Sequence, residues 1–298
     1  MKISEALTKA RKALDQISDS RKISKSVSTS KLDSLILLTH AFFVLGKTLT
    51  KEQIIFNPDL QLNQKTQEVF FKLIARRANR EPVSQIIGKK EFFGEDFLIN
   101  SDVLDPRPDS ETLIELALKT FPLKNHRLKI LELGVGSGCL VITLLKNLEN
   151  ALATAIDISC QALEVAQKNA TKHRVENRLK LLQSDLFSNI YGFSKKDRKF
   201  DLVVSNPPYI NSGDIENLQD EVRIYEPRIA LDGGIDGLDF YRRIAANVQN
   251  FLRPKGKIIV EIGAGQELEI IKIFAANNFI LEASKPDLAG IQRALCFS

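Results

Sequence analysis

Apolar residues recur at helical spacing through the first 85 positions, then gather into short strand-like runs beyond position 128. Ile3, Ala6, Leu7, Ala10 and Leu14 predict one helix. Leu32, Leu35, Ile36 and Thr39, with Phe42 and Phe43 beyond, predict a second. Phe42, Phe43, Phe70 and Phe71 read as helical core. The polar stretch Ser18 to Ser30 between these helices reads as a loop. Gly46 ends the second helix, Asn57-Pro58-Asp59 marks a turn, and a further helix is expected from about Asn63 to Arg80, before Pro82. Ile86-Ile87-Gly88, Phe92-Phe93-Gly94 and Phe97-Leu98-Ile99 alternate like a short hairpin. The run Asp105-Pro106-Arg107-Pro108-Asp109-Ser110-Glu111 predicts a rigid approach to a helix, with Asp109 or Ser110 as its N-cap.

From Lys129 onward, strands alternate with helices. Strands are expected at Lys129–Leu133, Ala153–Ile158, Leu179–Ser184, Phe200–Ser205, Gly256–Ile262, Phe279–Ala283 and Arg293–Phe297. Helices are expected near Gly138–Leu148, Cys160–Lys172, Leu238–Leu252 and Gln266–Asn277. Such alternation predicts an α/β domain with a mainly parallel sheet covered on both faces, whose ligands bind at the C-terminal strand ends. The expected organisation is a helical domain at 1–85, a hairpin linker at 86–109 and an α/β catalytic domain at 110–298.

Composition narrows the function classes. A chain of 298 residues with 44% hydrophobic and 27% charged content is ordinary for a globular protein, and no uncharged apolar run is long enough to span a membrane. Met1 to Gln16 mixes charges with its apolar residues, unlike a secretory leader. Cys139, Cys160 and Cys296 form no CxxC pair, and His40, His126 and His173 have no metal-ligand spacing. The expectation is a cytoplasmic, cofactor-using enzyme without a structural metal. The net charge of +5 is uneven: residues 1–85 hold 15 Lys and Arg against 8 Asp and Glu, a difference of +7 that leaves −2 for the rest. That excess fits either an acidic partner or a solvated helical surface.

Two segments carry the chemistry. Gly134-Val135-Gly136-Ser137-Gly138 follows a strand and opens a helix, where missing side chains let a ligand approach the backbone. Asp157 ends the next strand, 19 residues beyond Gly138, suited to ribose hydroxyls; Asp185 ends the one after, suited to an adenine amino group. The GxGxG spacing lacks an obvious pyrophosphate cradle, which favours S-adenosylmethionine over a dinucleotide. Asn206-Pro207-Pro208-Tyr209 closes the fourth strand. A planar NH₂ group is a poor nucleophile because its lone pair is delocalised. Acceptors on both its N–H bonds, the Asn206 side-chain oxygen and the Pro207 carbonyl, favour the pyramidal form that can attack a methyl sulfonium. Tyr209 can pack its ring over the planar group. Cys139 reads as a packing residue, Lys195 to Lys199 as a solvated loop. Ile210 to Gly237 is long for a connector, and Glu226-Pro227-Arg228 and Gly233-Gly234 within it could close over a substrate.

With these segments in hand, the chain resembles the bacterial peptide chain release factor glutamine methyltransferases, the HemK/PrmC family, over nearly its whole length. The resemblance is carried by Arg80-Glu81-Pro82 with Ile87-Gly88, by Phe92-Phe93-Gly94 and by Pro106-Arg107-Pro108-Asp109-Ser110-Glu111. It continues through Gly134–Gly138, Asn206-Pro207-Pro208-Tyr209-Ile210, Tyr225-Glu226-Pro227-Arg228 and Asp236-Gly237-Leu238-Asp239-Phe240-Tyr241. The resemblance implies a class I, Rossmann-like methyltransferase domain with a seven-stranded, mostly parallel sheet, accompanied by an N-terminal helical bundle. It implies methylation of the Gly-Gly-Gln glutamine of class I translation release factors. Gly134, Val135, Gly136, Ser137, Gly138, Asp157, Asp185, Leu186 and Asn206 would surround S-adenosylmethionine. Asn206, Pro207, Pro208 and Tyr209 would grip the glutamine, with Arg107 shaping the pocket and the basic helical domain docking the protein substrate. Four positions depart from the common pattern: Glu132 for Asp, Ser110 for Thr, Asp105 for an apolar residue and Leu186 for Trp.

Other readings stay open on the residues alone. An amino-methyltransferase acting on adenine or guanine in nucleic acid shares the NPPY chemistry, although no aromatic-rich RNA-binding module accompanies it, so direct nucleic-acid binding is not expected. A silent cofactor-binding module would not need Asn206 and Pro207, and a dehydrogenase would need an acid or base that is not evident.

Overall fold

The computed structural model describes residues 1–16, 29–122, 127–192, 194 and 197–298. Most of the Ser18–Ser30 stretch, His126 and Lys195-Lys196 lie outside the described residues. The chain forms two compact units, Met1–Gly88 and Lys89–Ser298.

The described residues of the first unit form the helices α1 (Ile3–Asp15), α2 (Ser30–Val44), α3 (Lys51–Phe56), α4 (Gln64–Ala78) and α5 (Val83–Ile87). α1 buries the five apolar positions that its spacing singles out. α2 does not follow expectation. Its buried face is Ser34, Leu37, Leu38, Ala41 and Phe42, while Leu32 and Phe43 are exposed. This helix is apolar around much of its circumference, so spacing alone does not select a face. Asp33 helps to set the rotation by accepting a hydrogen bond from Arg77 Nε at 2.8 Å. Phe70 joins the core with Phe42, but Phe43 does not. The Asn63 side chain accepts from the Thr66 amide at 2.8 Å and so caps α4. Ile86 and Ile87, expected in the hairpin, instead end α5, which starts after Pro82 and stops where Gly88 turns left-handed at φ +72°. A five-residue helix is too short to show a period.

The second unit opens with a two-stranded hairpin, β1 (Lys89–Phe92) and β2 (Glu95–Leu98). Phe93 and Gly94 both have positive φ, as a tight two-residue hairpin turn requires. The Glu111 carboxylate accepts from the Phe93 amide at 2.9 Å and holds that residue in its unfavourable conformation. α6 (Glu111–Thr120) follows, then β3 (Lys129–Leu133), α7 (Cys139–Asn147), β4 (Leu152–Asp157), α8 (Cys160–Lys172), β5 (Leu179–Gln183) and β6 (Phe200–Ser205). Then come α9 (Asp220–Tyr225), α10 (Asp239–Val248), β7 (Leu252–Glu261), α11 (Glu267–Ala275), β8 (Leu281–Pro286) and β9 (Gln292–Phe297).

Seven strands form one sheet in the order β5-β4-β3-β6-β7-β9-β8. The pairs from β5 to β7 are parallel, and β9 runs antiparallel to both β7 and β8. The expected mainly parallel sheet is therefore present. Its sixth strand starts at Leu281 and not Phe279, because Phe279 packs into the core beneath α11 against Phe274. One apolar layer lies on the α6, α7 and α8 face, the other on the α10 and α11 face. The strand order reverses between β3 and β6, and that crevice is where a parallel sheet offers a ligand site. Among the described residues no helix is long and apolar enough to cross a membrane.

Candidate active site

Where β3 ends, Gly134, Gly136 and Gly138 all take positive φ, of 75°, 51° and 80°. Three such residues within five reverse the chain over the sheet edge, at little steric cost only for glycine, and the Gly134 and Val135 amides donate to the Ile156 oxygen. Asp157, at the end of β4, fixes the loop: one carboxylate oxygen accepts from the Gly136 amide at 2.9 Å, the other from the Ser159 amide at 2.9 Å. Burial raises its pKa, against the pull of these backbone donors. Glu132 is buried beneath the loop and accepts from the Val141 amide in the first turn of α7, at 3.1 Å. Its carboxyl is pushed well above the usual range, chiefly by burial.

These elements border a cavity of about 230 Å³. Of the sequence-predicted cofactor residues, Gly134, Val135, Gly136, Ser137, Asp157, Asp185, Leu186 and Asn206 line it, and Gly138 does not. Gly138 instead N-caps α7. Arg107 and Pro208 also line the cavity, whereas Pro207 is buried and is not among its lining residues. Tyr209 does not line it either: the ring packs against the core on the α10 and α11 side, and its backbone oxygen accepts from Gln266 Nε2 at 3.0 Å. The stacking expected of this ring has no counterpart in its present position.

The Asn206 carboxamide is oriented by one bond, from its Nδ2 to the Ser110 hydroxyl at 3.1 Å. Among the described residues nothing donates to its Oδ1, and Asn206 lines the cavity. The long connector after it braces this segment. Ile210 donates to the Leu231 oxygen at 3.1 Å, and Gly233 donates to the Ile210 oxygen at 2.8 Å. Gly233 has no room for a side chain, because a Cβ there would lie 2.8 Å from the Pro208 oxygen and from Tyr209 Cα. So Gly233 packs against the NPPY backbone from behind.

Several contacts among residues around the cavity were not legible in the sequence. Glu226 pairs with Arg107, and Arg243 donates to both oxygens of Asp185 at 2.7 and 2.8 Å while lying over the Phe240 ring. Ser110 and Glu261 form a third set, because their role depends on contacts between distant segments. Cys139 lines the cavity, but burial pushes its thiol up to about 12, which keeps it from acting as a nucleophile. His173 caps the end of α8, packs its ring at a tilt against Phe97 and bonds the Asp96 oxygen at 3.1 Å. Among the described residues no cluster of His, Cys, Asp and Glu could hold a metal ion.

The cavity suits a nucleoside without a pyrophosphate. Its two lining cations, Arg107 and Arg243, are both paired with carboxylates, so neither is reserved for a pyrophosphate. A carboxylate offers about four lone-pair positions, and Asp157 uses two for the loop, leaving capacity for ribose hydroxyls.

Comparison with known proteins agrees with this geometry. The family model described as PrmC N-terminal domain matches residues 5–88, and that described as Methyltransferase small domain matches residues 109–224. A release factor glutamine methyltransferase of Geobacter sulfurreducens is 41% identical over 271 residues, covering 91% of this chain and 90% of the relative. A bifunctional methyltransferase of Rickettsia felis is 38% identical over 322 residues, covering 99% of this chain but 58% of the relative. The chain thus spans little more than half the length of the bifunctional relatives it matches. A solved methyltransferase structure from Pyrococcus furiosus superposes with a TM-score of 0.50 at 19% identity, covering 75% of this chain and 95% of that one; it shares the fold.

Proposed function

This chain belongs to the release factor glutamine methyltransferase family, and we propose that it transfers a methyl group from S-adenosylmethionine to a glutamine side-chain amide. The acceptor is the glutamine of the Gly-Gly-Gln motif of class I translation release factors, and the reaction takes place in the cytoplasm. The observation that carries this reading is Asn206. Its amide nitrogen is tied to Ser110, and its oxygen is left to the same cavity that the glycine loop borders.

Gly134 to Ser137, Asp157, Asp185 and Leu186 would hold the cofactor, with Gly138 anchoring the loop to α7. When bound, S-adenosylmethionine supplies an electrophilic methyl group on a sulfonium. Asn206 Oδ1 accepts one N–H of the glutamine amide and the Pro207 carbonyl accepts the other, which draws the lone pair out of conjugation. Pro208 has no N–H, so the backbone here presents acceptors only. The glutamine nitrogen forms the new N–C bond while the C–S bond breaks with its pair on sulfur, and one N–H proton leaves to solvent. Products are N5-methylglutamine and S-adenosylhomocysteine. Orientation of this kind supplies roughly 7–11 kcal/mol in favourable systems, so no general base is required. Arg107 shapes the glutamine end of the cavity, Tyr209 backs it, and the basic first unit docks the protein substrate.

The test is transfer of labelled methyl to a purified release factor, with peptide mass spectrometry to locate it. Label on the Gly-Gly-Gln glutamine supports the proposal; label on nucleic acid with none on the factor overturns it. Asn206→Ala should lower turnover by about 10²–10³-fold with cofactor affinity nearly unchanged.

A further inference from the structure

Ser110 stands at the N-cap position of α6, yet its side chain makes no capping bond to the helix. It is 2% exposed, and its oxygen accepts from Asn206 Nδ2. A serine hydroxyl that accepts at its oxygen still has one proton to place. The group placed to take it is Glu261, at the C-terminal end of β7, whose charged form the Ser110 side chain favours. Glu261 is 1% exposed, its Oε2 has no hydrogen-bond partner, and its own backbone oxygen accepts from the Tyr241 hydroxyl at 2.7 Å. A buried carboxylate with an unsatisfied oxygen is costly, and it is retained here next to Ser110, which lines the cavity.

The directionality of this chain matters because a carboxamide can present either end. An ionised carboxylate only accepts, so the Ser110 proton goes to Glu261. Ser110 can then only accept from Asn206, and Asn206 must turn its NH₂ inward and its oxygen toward the cavity. We propose that Ser110 and Glu261 are positioning residues for methyl transfer: Glu261 takes the Ser110 proton and thereby fixes the Asn206 carboxamide with Oδ1 facing the substrate amide. This deepens the proposed function and rests on the reading of Asn206 as an acceptor for the substrate N–H. A protonated Glu261 could donate to Ser110, freeing the hydroxyl to donate to Asn206 Oδ1 and reverse the amide. The groups that act on Glu261 are Arg293 and Arg107, which favour its charge, Asp109, which opposes it, and the phenols of Tyr209 and Tyr241. Burial raises Glu261 to about 7, within the range where this reversal is observable.

The experiment has two independent readouts on the full chain: hydrogen exchange of the Asn206 side-chain amide in ¹⁵N-asparagine-labelled protein, and turnover on a release factor across pH. Ser110→Ala should speed exchange of the Asn206 amide by about tenfold or more and lower kcat by a similar factor, with KM for S-adenosylmethionine nearly unchanged. Ser110→Thr, which restores the hydroxyl, should recover both. Glu261→Gln should abolish the fall in kcat on acidification through pH 7. Combined with Asn206→Ala, the Ser110→Ala change should cost nothing further, because both act through one carboxamide. Unchanged Asn206 exchange in Ser110→Ala overturns the proposal, as does a loss that multiplies with that of Asn206→Ala. If the wild-type protein leaves the release factor unlabelled while exchange still responds to Ser110→Ala, the substrate reading fails and the positioning stands. Normal labelling with unresponsive exchange is the reverse.

Discussion

The Arg107 guanidinium donates through Nη2 to both carboxylate oxygens of Glu226, at 2.6 and 2.7 Å, joining the segment before α6 to the connector after β6 across 119 residues of chain. The Glu226 side chain is 2% exposed and that of Arg107 35%. Burial raises the Glu226 carboxyl to about 7; Arg107 pulls it down and Asp105 pushes it further up. Each member of the pair therefore has a distinct cost of removal.

Arg107→Ala should destabilise the fold by about 1–3 kcal/mol, because it strands a buried acceptor. Glu226→Gln should cost less, since the isosteric amide still accepts from Arg107. Both should raise KM for the release factor more than KM for the cofactor. Denaturant melts and initial rates check this, and equal destabilisation by the two changes would count against a buried-charge origin.

Asp157→Ala should weaken S-adenosylmethionine binding by about tenfold or more, measured by calorimetry. The substitution frees the Gly136 and Ser159 amides at once and removes the candidate ribose acceptor. Affinity within twofold of wild type would remove Asp157 from the cofactor site.

Gly233→Ala should lower both stability and turnover although the glycine does not line the cavity. The added Cβ meets backbone atoms of Pro208 and Tyr209, which cannot swing aside as a flexible side chain would. Overpacking of this kind costs about 1–3 kcal/mol, and a shift of the NPPY segment by about 1 Å lowers turnover on the order of 10²-fold. Normal kcat in a correctly folded variant would separate this loop from the chemistry.

Glu226 and Glu261 both titrate near 7 in the folded chain, against an ordinary value of 4.5. The folded state thus keeps protons that the unfolded chain releases between about 4.5 and 7. Their contribution to stability falls as pH rises through that window and is constant above it. Relative to wild type, Glu261→Gln should melt at progressively higher temperature from pH 5 to pH 7. A difference in Tm that does not vary with pH would refute the raised value. Using a difference cancels groups common to both proteins, such as His173, whose pKa is lowered by burial.

The sequence alone determined the features that are local. The GVGSG loop, the aspartates at strand ends and the NPPY turn are each short, contiguous and tied to one backbone conformation or one functional group, so their chemistry can be read in order along the chain. The alternation of strand and helix is local as well, and it sufficed for a mainly parallel sheet. The face of α2, the helical state of Ile86-Ile87 and the antiparallel β9 between β7 and β8 were decided by packing, since a helix apolar on several sides or only five residues long has no readable period. The pairs Arg107–Glu226 and Asp185–Arg243 and the Asn206–Ser110–Glu261 chain also belong to the tertiary structure. Each joins residues far apart in sequence, so only the fold settles the pairing; burial makes an unsatisfied partner costly at Glu226 and Ser110, whereas Asp185–Arg243 is exposed. NPPY thus specifies what kind of nitrogen can react, while Ser110 and Glu261 decide which end of Asn206 that nitrogen meets.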